Sequence, residues 1–462
     1  MLFNSFPFLI LFLPLTLAVS LRLRGNALLR FLSLASFVFY SFAGHAWFVI
    51  PMLVTTCLDF FMAPLIAAAQ NRHKKRLFLI VSVACNLGLL GYFKYSGLLL
   101  RTAEYLTGAP LWSLSALQVI LPAGISFYTF QTISYIIDVY RGTAEPERNF
   151  WRFACFVSFF PHLVAGPLTR HDQLIPQLSR IAQTGIRPRW EDGIYLFAVG
   201  LAKKVLIGDR IAPLIHPLIG DPVHMSMMTA WLALLGFTLQ IYFDFSGYSD
   251  MAIGLGRLFG IELPQNFNSP YKATSPSDFW RRWHITLSLW LRDYLYITLG
   301  GNRCSLIRKN INIMLTMVIG GLWHGANWTF ALWGFYHGVL LILYHAFEKP
   351  WAKMSPLLQR ALTFLLISIG WLFFKANTIE EATAWLARLI DFHSLATPLI
   401  DIEYKLAGMV LIGMLITQLF PNASSLPDIG RLRPTRAFAL GCLAFASVVM
   451  LNYTSRFLYF QF

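Results

Sequence analysis

The chain is a succession of apolar stretches, each about as long as a bilayer is thick, and this limits its possible folds more than any other feature. The stretches fall at 6–21, 31–50, 52–69, 77–99, 119–140, 194–214, 229–246, 310–322, 327–347, 357–374, 406–420 and 437–457. A hydrocarbon core takes roughly 20 apolar residues per helix, so they read as about 11–12 passes, with 310–322 and 406–420 the shortest. Backbone in lipid must pair its own N–H and C=O groups, which leaves helices or a closed barrel. A barrel would show short alternating segments, and none recur here. The expected fold is an all-α, polytopic integral-membrane helical bundle. Stretches 150–164 and 285–299 are too short to span and are expected as re-entrant or interfacial helices. No low-complexity segment or soluble insert divides the chain, so residues 1–462 read as one membrane domain. Composition agrees: 56% of residues are hydrophobic and 13% charged, about half the charged share of a soluble domain.

The net charge of +15 is concentrated between passes. Basic connections include Arg22…Arg30, Arg72-His73-Lys74-Lys75-Arg76, 141–189, Arg281-Arg282, Arg303…Lys309, Lys349…Arg360 and Arg431…Arg436. Given the passes above, all lie on one side, which the positive-inside rule makes cytoplasmic, and both termini are expected outside. The charge is a topology signal with affinity for anionic headgroups, so no nucleic-acid partner is expected. The first apolar run lacks a basic leader and a small-residue cleavage site and reads as a retained helix. The five cysteines (Cys57, Cys85, Cys155, Cys304 and Cys442) are expected as buried thiols. No close Cys/His pairing marks a metal site.

One region is rich in polar residues. It runs from Tyr242-Phe243-Asp244-Phe245-Ser246-Gly247-Tyr248-Ser249-Asp250 to Gly256, continues through Leu263-Pro264-Gln265-Asn266-Phe267-Asn268, and ends in Ser277-Asp278-Phe279-Trp280-Arg281-Arg282-Trp283-His284. Asp244 and Asp250 sit near the end of a pass and are expected to pair with Arg257, Arg281 or Arg282, because charges near a membrane usually pair. Ser277 or Asp278 is a fitting N-cap for a helix carrying Trp280 to His284 along the membrane surface. Gly254 and Gly256 follow no strand and precede no Lys-Ser/Thr, so they suit close helix packing better than a nucleotide loop.

The second polar feature is a histidine inside apolar sequence, Gly320-Gly321-Leu322-Trp323-His324-Gly325-Ala326-Asn327-Trp328. An imidazole in a bilayer is expensive and asks for a functional reason. The flanking glycines let backbone or substrate come close. A neutral imidazole can take a proton from a hydroxyl attacking a carbonyl and later return it. Asn327, three residues on, would share a helix face with His324 and could orient it or donate to an oxyanion. The chain shows neither a Gly-x-Ser-x-Gly elbow nor a His-Glu-x-x-His pair, so a base and a binding surface stand without an obvious nucleophile. Physics alone leaves packing, pore lining and proton relay open for His324. His337 and His345 show no distinctive context.

These residues, with Gly91-Tyr92-Phe93-Lys94-Tyr95, Leu121-Pro122-Ala123-Gly124-Ile125-Ser126-Phe127-Tyr128 and Phe160-Pro161-His162-Leu163-Val164-Ala165-Gly166-Pro167, resemble the membrane-bound O-acyltransferase superfamily over nearly the whole length. The resemblance is to its bacterial alginate O-acetyltransferase-like branch. It implies a bundle around a tunnel or funnel, with His324 as the superfamily histidine at the constriction and His284 as the second histidine of the branch. Trp323, Asn327, Arg281, Arg282, Trp283 and Asn266 are the implied substrate or donor contacts. In the expected topology His324 lies in the outer half and His284 at the cytoplasmic face. The branch implies O-acetylation of an exported polysaccharide, alginate- or cellulose-like, or of peptidoglycan. It further implies acetyl-CoA as donor, an extracytoplasmic SGNH-hydrolase-like partner with polysaccharide-synthesis machinery, and the bacterial inner membrane as location. D-alanyl transfer to teichoic acid from a carrier protein and solute or polysaccharide transport are the alternatives.

Overall fold

The computed structural model describes residues 1–42, 44–108, 119–425 and 434–453. Arg431 and Arg433, and residues 454–457 of the last expected pass, lie outside them. Each apolar stretch is helical over most of its described length, although 119–124 form loop and turn before a helix that begins at Ile125, and the described residues contain no strand. In chain order the main helices are α1 Pro7–Ser20, α2 Gly25–Ser41, α3 Val49–Ala68, α4 Arg72–Thr107, α5 Ile125–Arg141, α6 Phe150–Ser158, α7 His171–Thr184, α8 Trp190–Ala202 and α9 Asp209–Ile219. They continue as α10 Met227–Leu258, α11 Pro276–Arg282, α12 Ile285–Trp290, α13 Leu306–His324, α14 Trp328–Ala346, α15 Pro356–Lys375, α16 Ile379–Arg388, α17 Asp401–Leu419 and α18 Pro434–Val449.

Among the described residues, six helices are long and apolar enough to cross a membrane: Ala46–Ala68, α4, α10, α14, α15 and α17. Of the remaining expected passes, α1 and α18 are shorter apolar helices, the 194–214 run carries Lys203 and Lys204, and α13 opens on Arg308 and Lys309. Large apolar side chains such as Ile10, Leu99 and Phe445 point outward at 66–72% exposure, as lipid-facing residues do. The chain is an all-α, multi-pass membrane protein.

Contacts cluster into two units, Met1–Phe197 with Met251–Pro264, and Ala198–Asp250 with Gln265–Phe462. In the first, Phe8, Phe12, Phe39 and Phe160 interlock with ring centroids 5.3–6.1 Å apart. A polar clasp joins α3, α4 and α5: Asp59 accepts from the Ser82 hydroxyl (2.5 Å) and Asn86 Nδ2 (2.9 Å), and Thr132 donates to Asn86 Oδ1 (3.1 Å). Here, as expected, Gly254 lets helices touch. A Cβ on it would fall 2.6 Å from the Gly193 carbonyl.

In the second unit α10 is longer than the expected 229–246, because Asp244 to Gly256 continue the same helix. Its acids pair differently from expectation. Asp244 bonds Lys204 Nζ (2.5 Å), which also holds Asp209 (2.7 Å), and Asp250 bonds Lys203 (2.6 Å). Lysines inside an apolar run, on the wide turns Lys203–Gly208, take the role given to arginines. Arg257 instead meets Asp192 and Glu262 in the first unit, and Arg282 meets Asp278. Among the cysteines only Cys155 is buried, while Cys85 and Cys442 are exposed, contrary to expectation. A thiol is small and apolar enough to sit on an outward helix face.

Candidate active site

His324 is the last residue of α13, a helix started by the Ser305 side chain, which accepts from the Arg308 N–H (3.4 Å). Glycine sets how close α13 lies to α14. A Cβ on Gly321 would fall 2.2 Å from the Phe330 carbonyl, and one on Gly334 2.3 Å from the Met317 carbonyl. Gly325 then turns the chain, and its missing side chain makes room for the Phe330 ring, 2.0 Å from where a Cβ would stand. His324 is buried among aromatic rings: Trp323 at 5.0 Å, Trp333 at 5.2 Å and Phe374 at 5.4 Å between centroids.

Asn327 is not on a shared helix face with His324, because α13 ends at His324 and Asn327 caps α14. Its Oδ1 accepts from the Thr329 N–H (3.3 Å) and its Nδ2 donates to the Asn377 carbonyl (2.7 Å). The side chain that was to meet an oxyanion holds two turns together.

His284 is buried within the protein rather than carried on a helix face. Ser275, two residues earlier than expected, caps α11 by accepting from the Asp278 N–H (3.0 Å), and Pro276 is the first helical residue. The helix stops at Arg282, and Trp283 and His284 follow as buried residues. His284 takes left-handed backbone, φ 43° and ψ 52°, which costs a non-glycine residue roughly 1–3 kcal/mol. Asn266, fully buried, holds it there. Its carbonyl oxygen accepts from the Ile285 N–H (2.9 Å), and its side-chain Oδ1 meets the Thr286 hydroxyl (2.9 Å) and His284 Nδ1 (3.2 Å). Nδ1 therefore carries the hydrogen, and Nε2 is the basic nitrogen. Between two helices too short to span, burial pushes the imidazole pKa down to about 3, so the ring is neutral at physiological pH.

The kink at His284 folds α12 back into the unit and brings the two histidines together, with ring centroids 6.1 Å apart. The expected separation, one histidine outside and one at the cytoplasmic face, does not hold. The indole of Trp323 stands beside both, 5.0 Å from His324 and 6.0 Å from His284.

A cavity of about 430 Å³ reaches His324, and His284 lies behind its wall. One wall is a stripe on α13, Lys309, Ile313, Met317, Gly320 and His324, spaced as one helix face. A second comes from α14 through Trp333, Leu341 and His345, and the third from α11 and α12 through Trp280, Arg281 and Leu287. Arg281 and Lys309 give one end cationic character, with His345 beside them and Arg292 on the wall paired to Asp293 (2.6 Å), whereas His324 and Trp333 mark the aromatic end. Of the expected contacts, Arg281 lines the cavity, but Arg282 turns to Asp278 (3.0 Å) and the Asn268 carbonyl (3.3 Å). Trp283 packs on Phe279 (5.6 Å) and Trp371 (4.7 Å) behind the wall. Trp280, Trp333, Lys309, Arg292 and His345 were not foreseen as site residues. Stepping back from His324 at helical spacing finds Lys309.

Residues 147–380 match the family model described as MBOAT, membrane-bound O-acyltransferase family. The chain is 42% identical over 410 residues to a protein named probable alginate O-acetylase AlgI from Azotobacter vinelandii, covering 85% of this chain and 78% of the relative. It is 37% identical over 433 residues to the peptidoglycan O-acetyltransferase of Helicobacter pylori, covering 86% and 81%. The teichoic acid D-alanyltransferase of Bacillus subtilis matches at 28% over 279 residues, 56% of this chain and 69% of that one. By family model and by relatives that match over most of its length, the chain belongs to the membrane-bound O-acyltransferase family, in its AlgI-like branch, and is an O-acyltransferase.

Proposed function

We propose that this protein moves an acetyl group from acetyl-CoA, taken up on the cytoplasmic side, to a hydroxyl, as the membrane step in O-acetylating an exported polysaccharide. The observation that carries this reading is the cavity running from Arg281, Arg292, Lys309 and His345 to His324. The cationic end suits the phosphates of CoA, the apolar walls suit its thioester arm, and the other end holds a buried imidazole. The basic connections favour placing the cationic end inside the cell, in the inner membrane of a bacterium.

In the reaction His324 accepts the proton of the attacking hydroxyl as that oxygen bonds to the thioester carbonyl carbon. The tetrahedral centre collapses with cleavage of the C–S bond, and the imidazolium returns the proton to the leaving sulfur. The products are the O-acetyl ester and free CoA thiol. His284, neutral and fixed by Asn266, lies close enough to orient the acyl group or share the proton. The 42% and 37% identities to proteins named for alginate and peptidoglycan O-acetylation support acetyl as the group and an exported polymer, alginate- or cellulose-like, as its destination. An SGNH-hydrolase-like extracytoplasmic protein is the proposed immediate or final acceptor partner.

Transfer of labelled acetyl from acetyl-CoA in purified membranes containing the partner, wild type against His324→Ala at matched folded expression, tests this. Loss of transfer with donor binding retained is the expected result. Full activity in the variant removes His324 from the chemistry. Transfer of D-alanyl from a carrier protein, with none from acetyl-CoA, would replace the donor.

A further inference from the structure

One face of α14 repeats every four residues as Trp333, His337, Leu341 and His345. Three of these line the cavity, and His337 does not. The Trp280 ring stands against it instead, edge to face, with centroids 5.2 Å apart at 83°. His337 is completely buried, and neither ring nitrogen has a hydrogen-bond partner. Its surroundings are aromatic: Trp333 at 4.8 Å, Tyr336 at 5.6 Å, and Phe279 and Trp371 at 6.4 Å. On α15, Gly370 leaves the space the ring occupies, since a Cβ there would fall 2.8 Å from His337 Nε2.

An imidazole sealed in apolar surroundings without a partner is a costly placement, and a plain hydrocarbon side chain would fill the space without that cost. What the imidazole offers is an electropositive N–H edge, which binds the electron-rich faces of indoles. The two indoles nearest it, Trp280 and Trp333, are cavity walls, and Trp333 meets His324 at 87° and 5.2 Å. The order is imidazole, indole, imidazole.

We propose that His337 is a positioning residue: its ring, seated in the space left by Gly370, fixes Trp333 against His324 and Trp280 across the cavity wall. It touches no substrate and acts through the two indoles. The inference rests on the acyl-transfer role proposed for His324. If His337 shifts, Trp333 turns and His324 loses its orientation. The rate of the chemical step then falls while the distant cationic end still binds donor.

The test combines kinetics with a spectroscopic readout that needs no turnover. His337→Ala, His337→Phe and Gly370→Ala are compared with wild type for kcat and for KM toward acetyl-CoA. The protein is also labelled with 5-fluorotryptophan, and the Trp333 resonance is assigned by its loss in Trp333→Phe. His337→Ala and Gly370→Ala are expected to lower kcat about 10- to 100-fold with KM within about 2-fold, the scale for misplacing a catalytic group. Both should move or broaden the Trp333 fluorine line. His337→Phe, which fills the space but has no N–H edge, should recover only part of the kcat, and a wild-type kcat in it overturns the role given to that edge. An unmoved Trp333 line in both variants overturns the inference, as does a loss confined to KM. If His337→Ala fails to fold, Gly370→Ala decides. If wild type transfers no acetyl from acetyl-CoA, the proposed function fails, and the fluorine line alone decides the place of His337.

Discussion

His284 and His324, forty residues apart in sequence, bring their rings to 6.1 Å, with the Trp323 indole beside both. Groups this close act as a unit, so their substitutions should not add. His324→Ala is expected to abolish transfer and His284→Ala to lower it about 10- to 100-fold, while the double variant is no worse than His324→Ala. Initial rates of the three variants under saturating donor check this.

Asn266 holds the strained His284 backbone through both its carbonyl oxygen and its side chain. Asn266→Ala removes the side-chain acceptor and leaves buried donors unmet, a loss of about 1–3 kcal/mol. Activity should fall to near the His284→Ala level. Asn266→Asp keeps the acceptor for Nδ1–H and should retain more of it. Thermal unfolding and acetyl transfer measured on the same preparations separate the two effects.

The cationic end predicts a dependence on phosphate charge. Lys309→Glu and Arg281→Glu, both on the cavity wall, should raise KM for acetyl-CoA and flatten its dependence on ionic strength. A truncated acetyl thioester without phosphates should be indifferent to both changes. Salt titrations of KM for the two donors give the answer.

Lys203 and Asp250 form an ion pair at 2.6 Å with little exposure on either side chain. Removing one partner strands the other charge, at about 3–5 kcal/mol. Lys203→Met and Asp250→Asn should each lower thermal stability sharply, and the double variant should regain most of it. Unfolding curves in one detergent suffice, and a double variant as unstable as the worse single one would mean the pair is not coupled.

His284 also makes stability pH-dependent. Its folded pKa, about 3, lies below the ordinary histidine value of 6.5 because burial disfavours the charged ring. Its contribution is therefore complete above pH 6.5 and shrinks as acidification protonates the unfolded chain first. Between pH 7.5 and 5.5 the wild type should lose on the order of 1 kcal/mol more than His284→Gln. Equal losses in the two proteins would show that His284 is not buried neutral.

The helical membrane class was legible because lipid leaves a chain few options, and twelve apolar runs state the option taken. His324 stands out in the sequence as a polar residue inside an apolar run, but the α13 wall that leads to it does not, although Lys309, Ile313, Met317, Gly320 and His324 follow helical spacing. What escaped depended on contacts between distant segments. The bond from His284 to Asn266 spans 18 residues and decides the kink that brings the histidines together. Asn327 was misread because Gly325 ends the helix that the shared-face argument assumed. Lys203 and Lys204 were hidden by their hydrophobic neighbours, which outweigh two charges in any averaged window, and so the partners of Asp244 and Asp250 were sought among arginines.

The glycine contact between α13 and α14 has a mechanical consequence. With Gly321 and Gly334 each meeting the other helix's backbone, the two helices have no side-chain cushion at those two points and little slack to slide or splay there. Two walls of the cavity, including the rail that carries His324, are therefore braced as a single stiff plate. Any change in the cavity's width falls to the remaining wall, where α11 and α12 meet at the His284 kink. One histidine is fixed to the frame, and the other rides on the hinge.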